Sequence, residues 1–398
     1  MGLFKKIKLY LKKKKIVKEQ LDHSIPNFDQ YDASKKTIVF INGSMPTHDR
    51  DSGSNRLKEI ILNFKEEGFN CIICTENAYR TDEYIQFYVN LGLIVYVETK
   101  HYKSYFEFLK SIPKVDYIWY YSPNTLKDNF KKVSKILPHS KSIFDMVDIH
   151  FLRYQRAIEL DPTRISLRKR YKKYLKIETQ LAKKVDLVVP ISDLEKEIMS
   201  QYIQPEKLIT VSNIHYPKVE KSTTKSFEER DGLLFIGSAH TPNIDALYFL
   251  YNEIMPIVWE QLPDVKVNVV GNVRETIDDI QHPNFVFHGY VPSVETFFND
   301  NRIMVASLRF GAGVKGKIGQ AFEYYLPVVT TSIGAEGMKL VDRKNALIDD
   351  TKEGFAKAII ELYTDKNLWL ELQNHSEDSL KPFSVEHLKS IIATIGSY

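Results

Sequence analysis

The sequence is short of three things: cysteine, long apolar runs and net charge. It has two cysteines in 398 residues, which is too few for a disulfide scaffold and is typical of a reducing compartment. It has no run of about 18 apolar residues, so no membrane-spanning helix is predicted. The formal net charge is only +4, which argues against a protein that coats nucleic acid. We therefore expect a cytoplasmic globular protein with no nucleic-acid partner.

The two cysteines, Cys71 and Cys74, form a C-x-x-C pattern that would also suit a redox pair or a zinc site. They lie in the apolar run of residues 70–74, which predicts a buried strand, and residues three apart on a strand point to opposite faces. A redox pair needs a helix start and zinc needs further ligands. Structural packing is therefore the favoured interpretation.

Positive charge is concentrated at the amino terminus, where eight lysines fall within residues 1–18. Helical spacing would place Leu3, Phe4, Ile7 and Leu11 on one stripe between lysines. One interpretation is a basic amphipathic segment that lies on an anionic membrane surface, which would make the protein peripheral. A solvated lysine-rich leader is the other. A secretion signal is excluded because no apolar core of about 7 to 15 residues follows the charges.

Strand-like and helix-like segments alternate along the rest of the chain, which predicts an α/β protein with two doubly wound parallel sheets. The predicted strands are residues 37–42, 70–74, 92–96, 117–121, 141–145, 186–190, 233–236, 265–270, 285–287, 303–306, 328–330 and 346–348. The predicted organisation is a leader (1–35), a first domain (36–216), a polar linker (217–231), a second domain (232–382) and a final helix (383–398).

A glycine-rich turn behind one of these strands carries the strongest chemical signal. It contains Gly311, Gly313 and Gly316, and a helix-like segment follows it and stops at Pro327. Unpaired backbone N–H groups and the positive end of a helix dipole converge at such a turn, which suits a phosphate. Lys315 and Lys317 would add two cations there. An ordinary crossover with a solvated lysine pair is the alternative interpretation.

The strings GAGVKGKI and PVVTTSIGAEG in this stretch resemble the donor-binding segment of family 4 glycosyltransferases of the GT-B fold. Similar stretches are residues 233–247, 267–272 and 285–298, together with PTHDRDSGS and DMVDIHFLR in the first half. The resemblance implies two Rossmann-like domains that face a cleft, the first for the acceptor and the second for the donor. It also implies that the last helix crosses back to the first domain.

In function, the resemblance implies transfer of a sugar from a nucleotide-diphosphate donor to a saccharide or lipid-linked saccharide acceptor, with retention at the anomeric carbon. The setting it implies is bacterial surface polysaccharide synthesis at the inner face of the membrane. No metal and no cofactor beyond the nucleotide sugar are expected, because a helix amino terminus with lysines would neutralise the leaving diphosphate.

The resemblance and the glycine-rich turn together give a set of candidate donor-site residues. For the diphosphate these are Lys315, Lys317, Gly313, Val314, Gly316, Gly237, Ser238 and Arg309. For the ribose and base they are Gln320, Tyr290 and Val291. Two of these have alternatives, since Arg309 would equally suit a surface ion pair and Tyr290 would equally suit core packing.

The sequence departs from the family pattern at two positions. Many members carry two glutamates eight positions apart, and here those positions hold Ala312 and Gln320. Gln320 can hydrogen-bond a ribose diol without charge assistance. Glu323, one turn further on, is expected to face solvent or a neighbouring helix. The family's lysine pair after the first strand of the donor domain is replaced by a stretch with His240 and Asn243.

The first half supplies the other candidates. Asp51, Ser52 and Gly53 lie in a loop where Asp51 would hydrogen-bond an acceptor or cap the loop through Ser52 and Ser54. Asp148 and His150 follow the fifth strand and, with Lys315, are the catalytic candidates. The resemblance implies that a histidine here contacts the donor sugar, and a carboxylate could act as general base. A satisfied buried pair between Asp148 and Arg153 is the alternative.

Two other functions remain open at this stage. One is a nucleotide-sugar epimerase of the same fold, and the other is a degenerate, non-catalytic binding protein, which the missing glutamates would explain. A dehydrogenase is not expected, because neither half has G-x-G-x-x-G after its first strand.

Overall fold

The computed structural model describes residues 24–76, 82–277 and 279–398. The predicted basic segment of residues 1–18 lies outside them. The described chain divides into two compact units, one made of residues 1–147, 179–189 and 205–208 and the other of residues 148–178, 190–204 and 209–398. None of the helices in the described ranges combines the length and the apolar character that crossing a membrane requires.

The first unit is built on a six-stranded parallel sheet with the order β3-β2-β1-β4-β5-β6. Its strands are β1 (Thr37–Asn42), β2 (Asn70–Thr75), β3 (Ile94–Val95), β4 (Tyr117–Tyr121), β5 (Lys141–Asp145) and β6 (Leu187–Val189). Its helices are α1 (Ser52–Glu66), α2 (Glu83–Asn90), α3 (Tyr105–Leu109) and α4 (Pro123–Ile136). The central strand β1 is continuously apolar because helices cover both faces of a parallel sheet.

The core of the first unit is aromatic. The rings of Phe40 on β1 and Trp119 on β4 lie 5.9 Å apart, and both contact Phe64 of α1. Cys71 and Cys74 are buried on β2, as the packing interpretation predicts, and burial raises the pKa of both thiols. Such thiols are inert, since the thiolate is the reactive form.

The second unit has a six-stranded parallel sheet with the order β12-β11-β10-β7-β8-β9. Its strands are β7 (Leu233–Ile236), β8 (Val267–Val270), β9 (Phe285–Gly289), β10 (Ile303–Ala306), β11 (Val328–Thr330) and β12 (Leu347–Ile348). Its helices are α5 (His150–Leu160), α6 (Ile165–Lys176), α7 (Asp193–Ser200), α8 (Thr241–Phe249), α9 (Met255–Gln261), α10 (Glu295–Asp300), α11 (Gly316–Glu323), α12 (Ser332–Ala335), α13 (Lys352–Thr364), α14 (Lys366–Asn374), α15 (Ser376–Leu380) and α16 (Val385–Ser397).

Both faces of the second sheet are covered. Leu233 and Phe235 of β7 belong to a buried cluster that includes Trp369, whereas Leu234 belongs to a second cluster that includes Phe322. In each sheet the order in which successive strands are added reverses beside the first strand, between β1 and β4 in one sheet and between β7 and β10 in the other. Ligands of doubly wound sheets bind at the carboxyl ends of the strands at such a point. In the second unit, that point lies beside the glycine-rich turn.

The predicted α/β class and the parallel sheets are confirmed, and every predicted strand overlaps an observed one. Helix α6 (Ile165–Lys176) continues as a short π turn (Ile177–Leu181) and a 3-10 turn (Ala182–Lys184). The predicted domain and linker boundaries, and the return of the last helix, remain predictions.

Candidate functional site

The glycine-rich turn connects β10 to α11, and its backbone requires glycine. Gly311 has a φ of 149° and Gly313 a φ of 75°, values that residues with a Cβ rarely adopt. Gly316 is the first residue of α11, so the backbone N–H groups of the helix start lie at the end of the turn. The local structure is therefore the strand, turn and helix that the sequence predicts.

The two lysines of the turn are held by neutral oxygen atoms. Lys315 Nζ donates to the carbonyl oxygens of Ala312 at 3.1 Å and Gly313 at 2.6 Å. Lys317 Nζ donates to Asn243 Oδ1 at 2.8 Å and lies 5.1 Å from the centre of the Phe235 ring. In the described part of the chain, neither ammonium group forms an ion pair with a carboxylate.

The environment disfavours the charged form of both lysines. Burial lowers the pKa of Lys315 to about 8, although Glu336, Glu195 and Asp148 act in the opposite direction. Burial and the neighbouring Lys315 lower the pKa of Lys317 to about 7. A bound anion would relieve both effects by supplying negative charge. The turn is thus suited to a phosphate.

Glu195 of α7 fixes the turn against the start of α5. It is 2% exposed, and its Oε1 accepts from the backbone N–H of Gly313 at 2.9 Å and of Ile149 at 3.1 Å. Its Oε2 is buried and has no hydrogen-bond partner among the described residues. Burial and the nearby Asp148 raise the pKa of Glu195 to about 7. One carboxylate oxygen therefore connects two chain segments that are distant in sequence.

Arg156 makes a second connection between α5 and the turn. Its Nη1 donates to the carbonyl oxygen of Gly311 at 2.8 Å. The guanidinium also forms a bidentate pair with Glu336 at 2.6 and 2.7 Å, and both side chains are largely buried. Bidentate pairs fix direction as well as distance, so the position of the turn relative to α5 is closely specified.

His150 begins α5 and sits between two carboxylates. Glu178 caps the helix by accepting from the backbone N–H of His150 at 3.0 Å and of Phe151 at 2.9 Å. His150 Nδ1 lies 2.8 Å from Asp148 Oδ1 and 3.1 Å from Glu178 Oε1. Burial alone would lower the pKa of His150, but these carboxylates raise it to about 10. The imidazole is therefore a cation at neutral pH, and its ring stacks on Tyr174 at 4.7 Å.

Asp148 completes this cluster. Arg153 Nη2 donates to its Oδ1 at 2.8 Å, and Arg153 Nη1 lies 3.2 Å from His240 Nε2. Burial would raise the pKa of Asp148, but His150 and Arg153 together lower it. The predicted pair of Asp148 with Arg153 is present, and His150 is part of the same network. The sequence-predicted Asp148, His150, Lys315 and His240 thus belong to one electrostatic cluster.

Gly237 and Ser238, at the end of β7, approach the same region through Asn243. Asn243 Nδ2 donates to the carbonyl oxygen of Ser238 at 3.1 Å, while its Oδ1 accepts from Lys317. A Cβ on Gly237 would lie 2.8 Å from the Phe235 ring and 3.2 Å from Asn243, so only glycine fits there. The stretch that replaces the family's lysine pair therefore contacts Lys317 directly.

Four further candidate residues of the donor site lie outside the lysine and histidine clusters. Arg309 pairs with Asp245 at 2.6 and 3.0 Å, which is the surface ion pair given as its alternative. Tyr290 is 58% exposed, so the core-packing interpretation of this residue is wrong. Gln320 and Val291 are half-buried, and Val291 packs on the cluster that includes Phe322.

The expectation that Glu323 faces solvent or a neighbouring helix is wrong. Glu323 is 5% exposed, and its Oε1 lies 2.9 Å from Nδ1 of the buried His215. The reason is Gly319, one turn earlier, where a Cβ would lie only 2.3 Å from His215 Nε2. The missing side chain at Gly319 admits the imidazole beside α11, and Glu323 turns inward to meet it.

The candidate acceptor loop lies in the first unit. Asp51 caps α1, with Oδ1 accepting from the Ser54 N–H and Oδ2 accepting from the hydroxyl groups of Ser54 and Thr47. The predicted capping of Ser54 by Asp51 is therefore present. Gly53 lies against Tyr121, whose hydroxyl oxygen would be 2.7 Å from a Cβ at that position.

Backbone strain marks the same edge of the first sheet. Ser122, after β4, has a φ of 87°, and Val147, after β5, has a φ of 66°. Both are unusual for side chains with a Cβ, and a β-branched residue is especially disfavoured there. The N–H of Val147 donates to the buried Asp145, which helps to hold this conformation.

Sequence reasoning missed Glu178, Glu195 and Arg156. Glu195 does stand in a Ser-x-x-Glu pattern with Ser192, which predicts a capping box. Ser192 Oγ accepts from the Glu195 N–H as that pattern requires. The carboxylate, however, reaches Gly313 and Ile149 instead of the cap, and no local pattern reports contacts across such sequence distances.

Comparison with known proteins finds a family match for part of the chain. Residues 230–365, about a third of the chain, match the family model described as Glycosyl transferases group 1. A Klebsiella pneumoniae protein described as an uncharacterized 44.6 kDa protein in the cps region is 30% identical over 139 residues. That match covers 32% of this chain and 36% of the relative, so it spans about a third of each.

Solved structures of glycosyltransferases match most of the chain. Anabaena HepE in complex with UDP-glucose has a TM-score of 0.68 and 14% identity, covering 91% of this chain and 100% of that one. Sucrose-phosphate synthase from Thermosynechococcus elongatus has a TM-score of 0.67 and 10% identity, covering 91% and 98%. At these identities the likeness shows the fold alone, and that fold is GT-B.

Proposed function

We propose that the protein is a family 4 glycosyltransferase that moves a sugar from a nucleotide-diphosphate donor to a saccharide or lipid-linked saccharide acceptor. The observation that carries the proposal is the glycine-rich turn with Lys315 and Lys317. Two half-buried ammonium groups without carboxylate partners in the described chain stand at a helix amino terminus, within the matched glycosyltransferase segment. A diphosphate bound there would supply the negative charge that these ammonium groups lack as partners.

In the proposed reaction, the bond between the anomeric carbon and the diphosphate oxygen breaks, and the electron pair leaves with the diphosphate. Lys315, Lys317 and the N–H groups at the start of α11 neutralise this developing charge. Gly313, Val314 and Gly316 give the phosphates close access to the backbone, and Gly237 and Ser238 do so from β7. A divalent cation is not needed for this role in the proposal.

The cluster around His150 is proposed to contact the donor sugar. Nδ1 is committed to the carboxylates, so Nε2 of the imidazolium is the atom that would donate to a sugar hydroxyl. Asp148 keeps His150 protonated and oriented. Because its pKa is lowered, Asp148 is a weak general base.

The acceptor hydroxyl attacks the anomeric carbon and must lose its proton. With Asp148 a weak base, the departing phosphate oxygen is the better proton acceptor, since its basicity rises as the bond to carbon breaks. This route places acceptor and leaving group on the same face of the sugar and gives retention. We therefore propose a retaining mechanism. Gln320, Tyr290 and Val291 remain proposed contacts of the ribose and base.

Two findings about relatives support the substrate and setting. Anabaena HepE was solved with UDP-glucose, which supports a uridine diphosphate sugar as the first donor to test. The Klebsiella pneumoniae relative is described by its location in a cps region, which supports a role in surface polysaccharide synthesis. Asp51, Ser52 and Gly53, beside the strained edge of the first sheet, are proposed to line the acceptor side.

The experiment is a thermal-shift screen of the purified protein against uridine, guanosine and thymidine diphosphate sugars, because a bound donor raises Tm according to its affinity. The stabilising donor is then incubated with and without saccharide acceptors, in EDTA and in Mg²⁺, and free nucleoside diphosphate is measured. We expect release in EDTA that depends on Lys315 and is lost in Lys315→Ala. Release that requires Mg²⁺ would contradict the proposed charge neutralisation.

A non-catalytic nucleotide-sugar binder is the second candidate, and Ala312 and Gln320 in place of the two family glutamates favour it. A donor that raises Tm but is neither hydrolysed nor transferred to any acceptor would support that function. An epimerase would instead consume the donor without any dependence on an acceptor.

A further inference from the structure

Helix α6 is an unusual basic surface. It carries six cations and no acidic residue in Ile165–Lys176, so it alone exceeds the formal net charge of +4 of the whole chain. All six cations are exposed, as is Arg164 just before the helix. They are Arg168, Lys169, Arg170, Lys172, Lys173 and Lys176.

This charge pattern costs helix stability. Arg168 and Lys172, Lys169 and Lys173, and Lys172 and Lys176 are like-charged neighbours one turn apart, which is destabilising. Cations in the first turn also oppose the helix dipole. An exposed helix with no other task would alternate the sign of its charges. The pattern is explained if an anionic partner neutralises it.

Several of these cations have no carboxylate partner among the described residues. Arg168 donates to the Pro162 carbonyl oxygen, and Arg170 lies near the ring and hydroxyl group of Tyr154. No carboxylate in the described ranges pairs with Lys169, Lys172 or Lys176. The lysine-rich residues 1–18 are excluded as a partner because they repel a basic helix.

The turn that leads into α6 is apolar at its surface. Helices α5 and α6 pack against each other as a hairpin, joined by residues 161–164. Leu160, the last residue of α5, is 49% exposed, and Ile165, the first residue of α6, is 68% exposed. Among the large hydrophobic residues that the structure describes, Ile165 is the most exposed. The hairpin thus combines an apolar tip with a basic flank.

We propose that this hairpin docks on an anionic membrane surface, with Leu160 and Ile165 entering the boundary between headgroups and acyl chains and the cations of α6 contacting lipid phosphates. Exposed apolar residues beside lysines and arginines are what interfacial binding uses. An acidic polymer such as a nucleic acid would use the cations but would leave the apolar tip without a function.

The proposal names a partner for the proposed function and explains how a lipid-linked acceptor could reach the site. Helix α5 starts at His150 and ends at Leu160, so its 11 residues span about 17 Å at roughly 1.5 Å each. The His150 cluster would then lie no farther than that from the membrane contact. An acceptor sugar attached to a lipid headgroup would be within reach of such a site.

The test is flotation of the full chain with vesicles of phosphatidylcholine alone and with added phosphatidylglycerol, without any donor. Replacing Lys169, Lys172 and Lys176 by glutamine should weaken partitioning into the anionic vesicles about tenfold or more. The matched control replaces Lys127, Lys131 and Lys135 of α4, three exposed lysines on another helix, and should bind as the parent does. Equal Tm values establish that the variants are folded.

A second variant, Leu160→Ser with Ile165→Ser, separates the two possible partners. Loss of vesicle binding at raised salt, where screening weakens the lysine contacts, supports insertion of the apolar tip. The proposal is overturned if the lysine variant floats as the parent does, which would assign membrane binding to other residues. It is also overturned if Leu160→Ser with Ile165→Ser floats as the parent does at raised salt, which would leave the apolar tip without a role in binding. Because no donor is present, these outcomes do not depend on glycosyl transfer.

Discussion

The two units each bury cations near the carboxyl ends of their central strands, but in opposite ways. In the first unit, Arg56 and Asp145 form a completely buried ion pair at 2.8 Å, and Trp119 Nε1 also donates to Asp145 at 3.0 Å. In the second unit, Lys315 and Lys317 are held by carbonyl and amide oxygens. The first arrangement is a closed ion pair, whereas the second contains ammonium groups that form no ion pair with a carboxylate of the described residues.

Under the proposed function, the difference separates a structural role of the first arrangement from a binding role of the second. A buried charge that is paired and fully hydrogen-bonded contributes to the fold, and removing one partner leaves the other uncompensated. A buried lysine with a lowered pKa is destabilising in the free protein and becomes favourable when a phosphate arrives. Basic residues are thus proposed to have different roles beside two sheets that have the same strand order.

The largest expected effect is on stability, from Arg56→Met. It leaves Asp145 buried without its cation, so we expect a loss of about 3–5 kcal/mol in the free energy of unfolding. Urea unfolding of the variant and of a surface control, Lys357→Met, measures it. A loss below about 1 kcal/mol would mean that the Arg56 pair contributes no more than a surface ion pair. The proposed difference between the cations of the two sheets would then be wrong.

Lys317→Met should lower activity and leave stability unchanged or higher, which is the reverse of the effect expected for Arg56→Met. Transfer activity should fall about 100-fold or more, as when one donor to a developing oxyanion is lost. The free energy of unfolding should stay constant or rise, because a buried ammonium group is replaced by a thioether of similar length. Steady-state kinetics and urea unfolding are compared in one preparation. If Lys317→Met is instead as unstable as Arg56→Met, the lysine has a structural role.

Glu195 should affect donor binding indirectly, because it positions the glycine-rich turn. Glu195→Ala removes the shared acceptor of the Gly313 and Ile149 N–H groups, at a cost of about 1–3 kcal/mol for buried donors left unpaired. We expect KM for the donor to rise about tenfold, with little change in KM for the acceptor. Glu195→Gln keeps an acceptor oxygen and should restore most of the donor affinity. Equal loss in both variants would contradict positioning of the turn.

The smallest effect is the pH dependence of donor binding. Lys317 and Lys315 have pKa values of about 7 and about 8, and Glu336, Glu195, Asp148 and Arg156 face Lys315. Raising the pH through this range removes protons from both lysines, so the Kd for a nucleoside diphosphate should increase several-fold. Lys317→Met should flatten the dependence. A Kd that falls as pH rises would have the wrong sign for this account.

Much of the fold was predictable because the strands are continuous apolar runs. Strands Thr37–Asn42 and Ile303–Ala306 coincide with their predictions to the residue, since turn residues follow both. The glycine-rich turn was predictable for the same reason, as spacing and glycine content are local properties.

The remaining parts of the site depend on contacts between distant segments. Glu178 and Glu195 lie on helices whose sequences give no sign that their carboxylates reach Phe151 and Gly313. Glu323 turns inward because His215, about a hundred residues earlier, packs on a glycine. Periodicity reports which face of a helix is buried, but it does not report which side chain fills the space on that face.

The central claim is that Lys315 and Lys317 bind a diphosphate without a metal ion. Isothermal titration of the protein with a nucleoside diphosphate in EDTA tests it most directly, in the parent and in a Lys315→Met/Lys317→Met variant with an unchanged Tm. The account predicts binding by the parent in EDTA and none by the double variant. Equal affinities in the two proteins, or binding by the parent only when Mg²⁺ is added, would contradict it.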